Sequence, residues 1–365
     1  MSLEKGKISS LQAVLLLAQV VLATAVLTAP SLPIAYAGQD AWLCILLAGM
    51  GGLLIACLMV NLSRRFPGKT LFEYLEDILG KIPGKIVSFL YLWFFLHIVT
   101  VVVREFGALL NPIFLPETPL VVIHILALAP VAYMLWQGLE VMARTNEIFA
   151  SLLLFGVFLV ILAAPQIKLT NFLPVLDAGP VPLLKGTLAP LAWFGELITV
   201  AVFLPYFNRP QDSYRIAGLA VCMITFMLGL AVFLTIAVFG PHVPASYLFP
   251  TFNAVRLIQL ANFVERLEIL VVVIWVAGGL LKIGAFYWII VLGAAQTLGL
   301  RTYRPLILPV GVIMLALSFI FHRNNLEMIR YIGLTWPFYG LTHELLLPLL
   351  LLGAALLRGK RRKKK

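Results

Sequence analysis

The sequence predicts an all-α integral membrane protein built from ten transmembrane helices. Of its 365 residues, 62% are hydrophobic and 12% are charged, which is about half the charged fraction of an average soluble domain. Ten apolar segments each approach the ~20 residues that a helix needs to cross a bilayer. Together these features exclude an ordinary soluble enzyme, a disordered chain and a small secreted domain held by disulfides.

The apolar segments are separated by short polar connections, so we expect residues 1–365 to form a single membrane domain. The approximate limits of the segments are 9–29, 40–62, 86–110, 119–138, 146–165, 187–206, 214–239, 266–297, 304–321 and 335–357. Two short helices are expected outside the bilayer. Residues 70–79 begin with a Thr70-x-x-Glu73 capping box, and residues 251–263 carry polar side chains at helical intervals.

Lysine and arginine are distributed unevenly between the two sides that this span order defines. If the amino terminus is cytoplasmic, 19 of them lie in cytoplasmic segments and 5 in external ones. Because cytoplasmic loops are enriched in these residues, both termini are expected in the cytoplasm. The basic cytoplasmic tail 358–365 contributes seven of the charges as a topological anchor, and binding to anionic membrane lipids is its alternative role. The net charge of +11 therefore reflects membrane topology, and no nucleic-acid partner is expected.

The chain shows no arrangement of residues typical of catalysis or metal binding. Cys44, Cys57 and Cys222 lie in apolar runs without a CxxC spacing, and the five histidines are scattered. No HExxH, G-x-S-x-G or Walker sequence is present. We therefore expect no enzymatic activity, no cofactor and no bound metal.

Ten spans divide into two sets of five, residues 9–165 and 187–357. An odd number of spans in each half gives the halves opposite orientations, which is the inverted repeat of many secondary transporters. The first and sixth spans, which open the two halves, also have irregular sequences. Interrupted helices at matching positions in two halves are the best sequence indication of a binding site in such proteins.

The two irregular spans differ in what interrupts them. In the first, the small residues Ala23-Thr24-Ala25 lie at mid-membrane and Pro30 follows; in the sixth, Gly195-Glu196 lies between two prolines. We expect both spans to be discontinuous near these residues. Simple proline kinks, which membrane helices tolerate, are the alternative.

Two ionisable residues, Glu196 and Lys282, fall near the middle of the bilayer. A charge at this depth costs ~2.5–3.5 kcal/mol even on the scale derived from membrane insertion, so each side chain should face the interior of the bundle. Glu196 could bind a substrate ammonium group or carry a proton. A structural ion pair between the two residues is the alternative for both.

Seven short segments carry a resemblance to a known family. They are ISSLQ at 8–12, LTAP at 27–30, DAW at 40–42, FPGKTLFEYLEDILG at 66–80, NFLPVL at 171–176, FLP at 203–205 and ERLE at 265–268. In this order, over essentially the whole chain, they resemble the endospore germination permeases, the B subunits of nutrient germinant receptors. These permeases lie within the amino acid–polyamine–organocation transporter superfamily, so the resemblance implies a LeuT-like fold. The superfamily usually has glycine at the first-span break, where this chain has Ala23 and Ala25.

The resemblance also implies a ligand pocket at the broken first and sixth spans, bordered by the third and eighth. The residues expected to line it are Ala23, Thr24, Ala25, Phe94, His97, Ile98, Phe194, Gly195, Glu196 and Lys282. His97 could equally be an ordinary buried histidine. In sodium-coupled relatives a cation lies between the first and eighth spans, and Lys282 is expected to replace it by binding carbonyls freed near Leu22 and Ala23.

The resemblance implies a receptor subunit in the inner membrane of the spore. Such a subunit would bind a small nutrient such as an amino acid and signal germination together with the other receptor subunits. A working amino-acid permease is the alternative, since both functions need the same pocket.

Overall fold

A computed structural model describes residues 3–153, 164–177, 179–257 and 267–359. All regular secondary structure in these ranges is helical. The long helices that form the spans are Ser10–Thr28, Ala41–Ser63, Lys81–Phe114, Leu120–Gln137, Leu139–Leu153, Pro180–Gly195, Ser213–Phe239, Leu267–Leu298 and Ile307–Ile320, followed by the tenth span, Asn325–Leu357. Shorter helices are Ser31–Ala37, Leu71–Leu79, Val200–Phe203 and Pro250–Arg256.

Eight helical segments of the described chain are long and apolar enough to cross a membrane, and 304–320 is a shorter apolar helix. These nine match nine of the ten predicted spans. The predicted fifth span, 146–165, overlaps the helix Leu139–Leu153 and continues outside the described residues. The prediction of an all-α membrane protein is confirmed. The helix predicted at 251–263 is present as Pro250–Arg256, and its later residues lie outside the described ranges.

The first and sixth spans form the centre of the bundle. In the apolar 18-residue stretch of each span, 78% of the residues of the first and 89% of those of the sixth are buried inside the protein. The corresponding fractions are 33% for the fourth span and 28% for the tenth. The peripheral spans therefore present most of their apolar surface to lipid. The two irregular spans, which are predicted to hold the functional site, are thus enclosed by the other spans.

The first span is interrupted, but not where the sequence analysis placed the break. Its α-helix runs without a gap through Ala23-Thr24-Ala25 to Thr28, and a new helix begins at Ser31. The predicted unwinding at Ala23–Ala25 is wrong because alanine is the best helix former and no proline lies in that turn. Pro30 has no N–H to offer the carbonyl of Val26, and the Thr251 hydroxyl donates to that carbonyl instead, at 2.7 Å.

The sixth span is interrupted where predicted. Its α-helix ends at Gly195, and Glu196–Thr199 form a tighter 3-10 turn before the short helix Val200–Phe203. A second 3-10 turn, Leu204–Tyr206, ends the span. Such a stretch in the middle of a helix often marks a hinge or a functional site.

The tenth span contains two π-helical turns, Tyr331–Thr335 and Thr342–Leu346. A π turn carries one extra residue and leaves a local carbonyl without its usual helical partner, and such turns are frequent at functional sites. The carbonyl of His343 accepts a hydrogen bond from the Tyr91 hydroxyl at 3.1 Å. The tenth span is thereby joined to the third.

One face of the bundle holds both described ends of the chain, and we call it the terminal face. Here residues 4–9, the amino-terminal strap, cross the ends of several spans. The N–H of Ile8 donates to the Tyr206 carbonyl, and the Asn208 N–H donates to the Ile8 carbonyl, both at 2.9 Å. Lys7 Nζ donates to the Pro205 carbonyl at 2.7 Å. The strap is thus fixed to the end of the sixth span.

The start of the strap is held by Glu4. Its Oε2 atom accepts from the Tyr303 hydroxyl at 2.8 Å and from the N–H of Leu139 at 3.2 Å. Burial and the nearby Glu4 carboxylate both raise the pKa of Tyr303, so the hydroxyl keeps its proton and remains a donor. The strap therefore also joins the start of the fifth span to the connection between the eighth and ninth.

The short helix Leu71–Leu79 lies on the same terminal face and confirms the predicted helix at 70–79. Glu73 Oε2 accepts from the N–H of Thr70, as the capping box requires, at 2.8 Å. The Thr70 hydroxyl contacts Gln296 Oε1 at 2.6 Å, near the end of the eighth span.

The opposite face, here called the far face, is covered by the connection 164–177 and by Pro250–Arg256. The connection is fixed by the Lys168 N–H, which donates to the Ala237 carbonyl at 3.0 Å, and by the Leu176 N–H, which donates to Asp40 Oδ1 at 2.8 Å.

Candidate functional site

The first, sixth and eighth spans meet at a buried ion pair. Lys282 Nζ lies 2.8 and 2.9 Å from the two carboxyl oxygens of Glu196 and 2.9 Å from the Thr24 hydroxyl oxygen. The two charged side chains are 1% and 3% exposed. Because an ammonium group has three N–H donors, these three acceptors satisfy it completely.

Glycines allow the eighth span to come this close to its neighbours. A methyl group on Gly278 would overlap the Gln19 side chain of the first span, and one on Gly279 would overlap the ring of Phe106 on the third. The ion pair therefore depends on two positions in the WVAGGLLK segment that have no side chain.

The acceptors of Lys282 differ from those expected. The predicted acceptors of the ammonium group are carbonyls freed near Leu22 and Ala23. Those residues belong to the uninterrupted helix Ser10–Thr28, so their carbonyls are used within the helix. The acceptors are the side chains of Thr24 and Glu196 instead.

A small cavity of about 30 Å³ adjoins the ion pair, with room for about two water molecules. The residues that line it are Thr24, Ile98, Val101, Val102, Glu105, Trp193, Glu196, Lys282, Tyr331, Ile332 and Trp336. They come from the first, third, sixth, eighth and tenth spans. We call this space the central cavity.

A larger space of about 250 Å³, the vestibule, lies between the central cavity and the far face. It is bordered by Thr28, residues 245–249 and Met328. Glu105 and Ile332 border both spaces. These two side chains therefore separate the central cavity from the vestibule.

Glu105 is a buried carboxyl at this boundary, with only 4% of its surface exposed. It has no hydrogen-bonding or ion-pair partner within the described part of the chain. The adjacent Arg104 does not pair with it: its Nη2 atom donates to the Arg323 carbonyl at 3.4 Å. An unpartnered carboxyl beside a cavity is a natural acceptor for a cationic group.

A third carboxyl, Glu344, lies behind the interruption of the sixth span. It is fully buried, and neither of its oxygens has a hydrogen-bond partner among the described residues. Its carboxyl packs directly against Gly195, where a methyl group would overlap Glu344 Oε2.

The structure places four of the predicted ligand-binding residues at the central cavity: Thr24, Ile98, Glu196 and Lys282. Gly195 directly precedes Glu196, which lines the cavity, and it packs against Glu344. Whether these residues bind a ligand stays a prediction.

The other predicted residues lie around this centre. Ala23 lines a separate apolar cavity of about 90 Å³ between the first, seventh and eighth spans, and Ala25 is buried in the core. Phe194 packs against Gly52 of the second span. Phe94 stacks parallel to Trp336, with ring centres 5.9 Å apart, and so supports the wall of the cavity from behind.

His97 faces a cluster of rings on the ninth and tenth spans. Its ring centre is 4.4 Å from that of Phe321 and 5.0 Å from that of Tyr331. It does not line the central cavity, and its predicted part in ligand binding would have to act through Tyr331.

The contribution of the tenth span to the central cavity was not predicted. Tyr331, Ile332 and Trp336 reach the cavity because the π turn Tyr331–Thr335 rotates this part of the span, and local sequence carries no reliable signal for such a turn. Glu344 could have been identified from the sequence, since an ionisable residue inside an apolar run indicates function. Among the described residues, no group of three or more histidine, cysteine or acidic side chains is arranged to hold a metal.

Comparison with known proteins assigns the chain to a family. The sequence profile of the family described as "Spore germination protein" matches residues 7–326. The chain belongs to this family. Among its relatives, Spore germination protein KB of Bacillus subtilis (strain 168) is 27% identical over 368 residues, covering 99% of this chain and 98% of that protein. Putative spore germination protein YfkT of the same organism is 28% identical, covering 94% and 95%.

Solved structures identify the fold. Mhp1, a nucleobase-cation-symport-1 family transporter solved with bromovinylhydantoin bound, matches with a TM-score of 0.70 at 12% identity, covering 93% of this chain and 78% of that one. MhsT in complex with L-phenylalanine matches with a TM-score of 0.58 at 15% identity, covering 96% and 99%. This chain therefore has a LeuT-like transporter fold, and its family and its apolar helices make it a multi-pass membrane protein.

Proposed function

We propose that this chain is the ligand-binding membrane subunit of a spore germinant receptor, and that it binds a small nutrient such as an amino acid without catalysing a reaction. The observation that carries the proposal is the central cavity, where Glu105, Glu196 and Lys282 lie in an apolar interior of a chain that matches the family over residues 7–326. Cavities that combine apolar walls with a few polar groups are typical of small-molecule sites.

The charges of the cavity favour a ligand with an amino group. Lys282 and Glu196 neutralise each other, which leaves Glu105 as the carboxyl without a counter-charge at the boundary with the vestibule. We expect the ligand's ammonium group to bind Glu105. The carboxylate of a zwitterion would then lie toward Lys282 and would have to take over one of its N–H donors from Glu196 or Thr24. Trp193, Tyr331 and Trp336 would contact the ligand's side chain.

The size of the cavity requires a movement on binding. A volume of about 30 Å³ is too small for any amino acid, whereas the adjoining vestibule holds about 250 Å³. A ligand that enters through the vestibule must displace Ile332 and Trp336. Both lie at the π turn of the tenth span, so we expect that span to move away from the first and sixth spans as the ligand binds.

We further propose that this movement signals to the other germinant-receptor subunits, and that the chain resides in the inner membrane of the spore with both termini in the cytoplasm. The charge asymmetry of the loops supports the orientation, and membership of the spore germination protein family supports the setting.

The proposal can be tested by thermal unfolding of the purified full-length protein with each of the common L-amino acids. A ligand that binds the folded state stabilises it by about 2.7 kcal/mol at a hundredfold excess over Kd. At least one amino acid should raise the unfolding temperature. Glu105→Gln should weaken that ligand by about tenfold to a hundredfold, because a hydrogen bond to a charged group is lost.

Glu117→Gln provides a matched control, since Glu117 is exposed on the connection between the third and fourth spans. It should leave the affinity unchanged. If no amino acid stabilises the unmodified protein, or if both variants behave alike, the proposed ligand chemistry is wrong.

The second candidate function, an amino-acid permease, is favoured by the transporter fold itself. Counterflow of a radiolabelled amino acid into proteoliposomes separates the two functions. Uptake of the labelled amino acid in exchange for internal unlabelled amino acid would indicate a permease. Binding without such exchange would indicate a receptor.

A further inference from the structure

Glu344 is the most deeply buried ionisable group of the tenth span, and neither the ion pair nor the cavity accounts for it. Its side chain has no exposed surface, and both carboxyl oxygens lack a hydrogen-bond partner within the described chain. An ionised carboxylate in such a place would lose its hydration without any compensation, at a cost of several kcal/mol. A carboxyl group in this position is therefore stable only with a proton bound.

The ionisable groups around Glu344 also favour its protonated form. From the sixth span it faces Glu196, and from the eighth span Lys282. From the third span it faces Tyr91, whose hydroxyl donates to the His343 carbonyl and not to Glu344. From its own span it faces Tyr331. The single cation of this group is already bound by both oxygens of Glu196.

The contact of Glu344 with the sixth span connects it to the candidate site. Its carboxyl packs against Gly195, the last α-helical residue before the 3-10 turn that begins with Glu196. It also lies in the second π turn of the tenth span, Thr342–Leu346. A displacement of either interruption must therefore change what surrounds this carboxyl.

We propose that Glu344 is a reversible proton-binding site of this protein. Its carboxyl keeps a proton while Lys282 is paired with Glu196. When the sixth and tenth spans separate, water reaches the carboxyl and the O–H bond breaks, so that the proton passes to water and the carboxylate becomes hydrated or pairs with Lys282. The site binds a proton whichever small molecule occupies the central cavity.

Infrared spectroscopy of the full-length protein in a detergent that has no carbonyl group tests this directly, because a protonated carboxylic acid has a carbonyl band that a carboxylate lacks. We expect such a band in the unmodified protein in neutral buffer. Glu344→Gln should reduce it to background. Glu344→Asp, which retains a carboxyl on a shorter stem, should shift it.

Two variants act as controls. Glu117→Gln changes an exposed carboxyl and should leave the band unaltered. Glu105→Gln tests the competing assignment to the other unpartnered carboxyl. Because Glu105 borders both the central cavity and the vestibule, where water can hydrate its carboxylate, this variant should leave the band in place. If the unmodified protein lacks the band, if Glu344→Gln retains it, or if Glu105→Gln removes it, the proposal is overturned. If Glu344→Gln does not fold, a band at an unchanged frequency in Glu344→Asp would also overturn the proposal.

Discussion

Lys282 Nζ contacts both carboxyl oxygens of Glu196, at 2.8 and 2.9 Å, and so connects the eighth span to the interruption of the sixth. The same ammonium group reaches the first span through the Thr24 hydroxyl. One side chain therefore holds together three of the five spans that border the central cavity.

The ion pair gives the first prediction. Lys282→Met should destabilise the protein by about 3–5 kcal/mol, because it leaves the Glu196 carboxylate buried without a partner. Replacing both residues, as Lys282→Met with Glu196→Leu, should recover most of that stability. Thermal unfolding in detergent measures both effects.

Ligand binding separates the structural role of the pair from its functional one. If the pair contributes to the site, the stable double variant should still fail to bind the amino acid that stabilises the unmodified protein. Full binding by the double variant would show that the pair only holds the spans together.

The second prediction concerns sodium. The Lys282 ammonium group lies between the first and eighth spans, where the family resemblance places the cation of sodium-coupled relatives. We expect a fixed charge there to repel a metal ion and to take its place. Replacing sodium by choline at constant ionic strength should leave the ligand-induced rise in unfolding temperature unchanged. Strict dependence on sodium would return Lys282 to a purely structural role.

The third prediction concerns Gly195. A methyl group at this position overlaps the Glu344 carboxyl, so Gly195→Ala must force the sixth and tenth spans apart at a cost of about 1–3 kcal/mol. Gly229 is a matched control in the helix Ser213–Phe239, because a methyl group there meets nothing within 4 Å. Gly229→Ala should be neutral or stabilising by up to about 1 kcal/mol. Equal unfolding temperatures for the two variants would contradict the close packing at Gly195.

The fourth prediction is the topology. Asp177 and Ser246 are exposed on the far face, and Arg209 is exposed on the terminal face. Cysteines introduced at the first two positions should react with a membrane-impermeant thiol reagent added outside intact cells. A cysteine at Arg209 should react only after permeabilisation. The reverse pattern would invert the orientation derived from the lysine and arginine counts.

Composition and span order were enough to predict the fold class, because hydropathy responds directly to the bilayer and needs no tertiary information. The break at Gly195-Glu196 was also predictable, since glycine and a charged residue both weaken a helix in an apolar environment. The break in the first span was misplaced because its position was expected from the small residues Ala23-Thr24-Ala25 at mid-membrane. In this chain alanine continues the helix, and the break moves to Pro30.

Within the candidate site, Glu196 and Lys282 could be identified because each is a charge at mid-membrane. Glu105 could not be identified in this way, because it lies near the outer end of its span and its burial depends on how the third and tenth spans pack. The cavity walls from Tyr331 to Trp336 could not be predicted, since they depend on a π turn that tertiary contacts stabilise.

The amino-terminal strap sets an order for biogenesis. Glu4 binds Tyr303, which lies 299 residues later in the chain, and Ile8 pairs with Phe207. The strap therefore cannot make all of its final contacts until the chain has been synthesised as far as Tyr303, after eight spans. Until then the terminal face stays unsealed, and contacts between such distant residues form slowly. The strap thus closes this face late in synthesis, once the eighth span has been made.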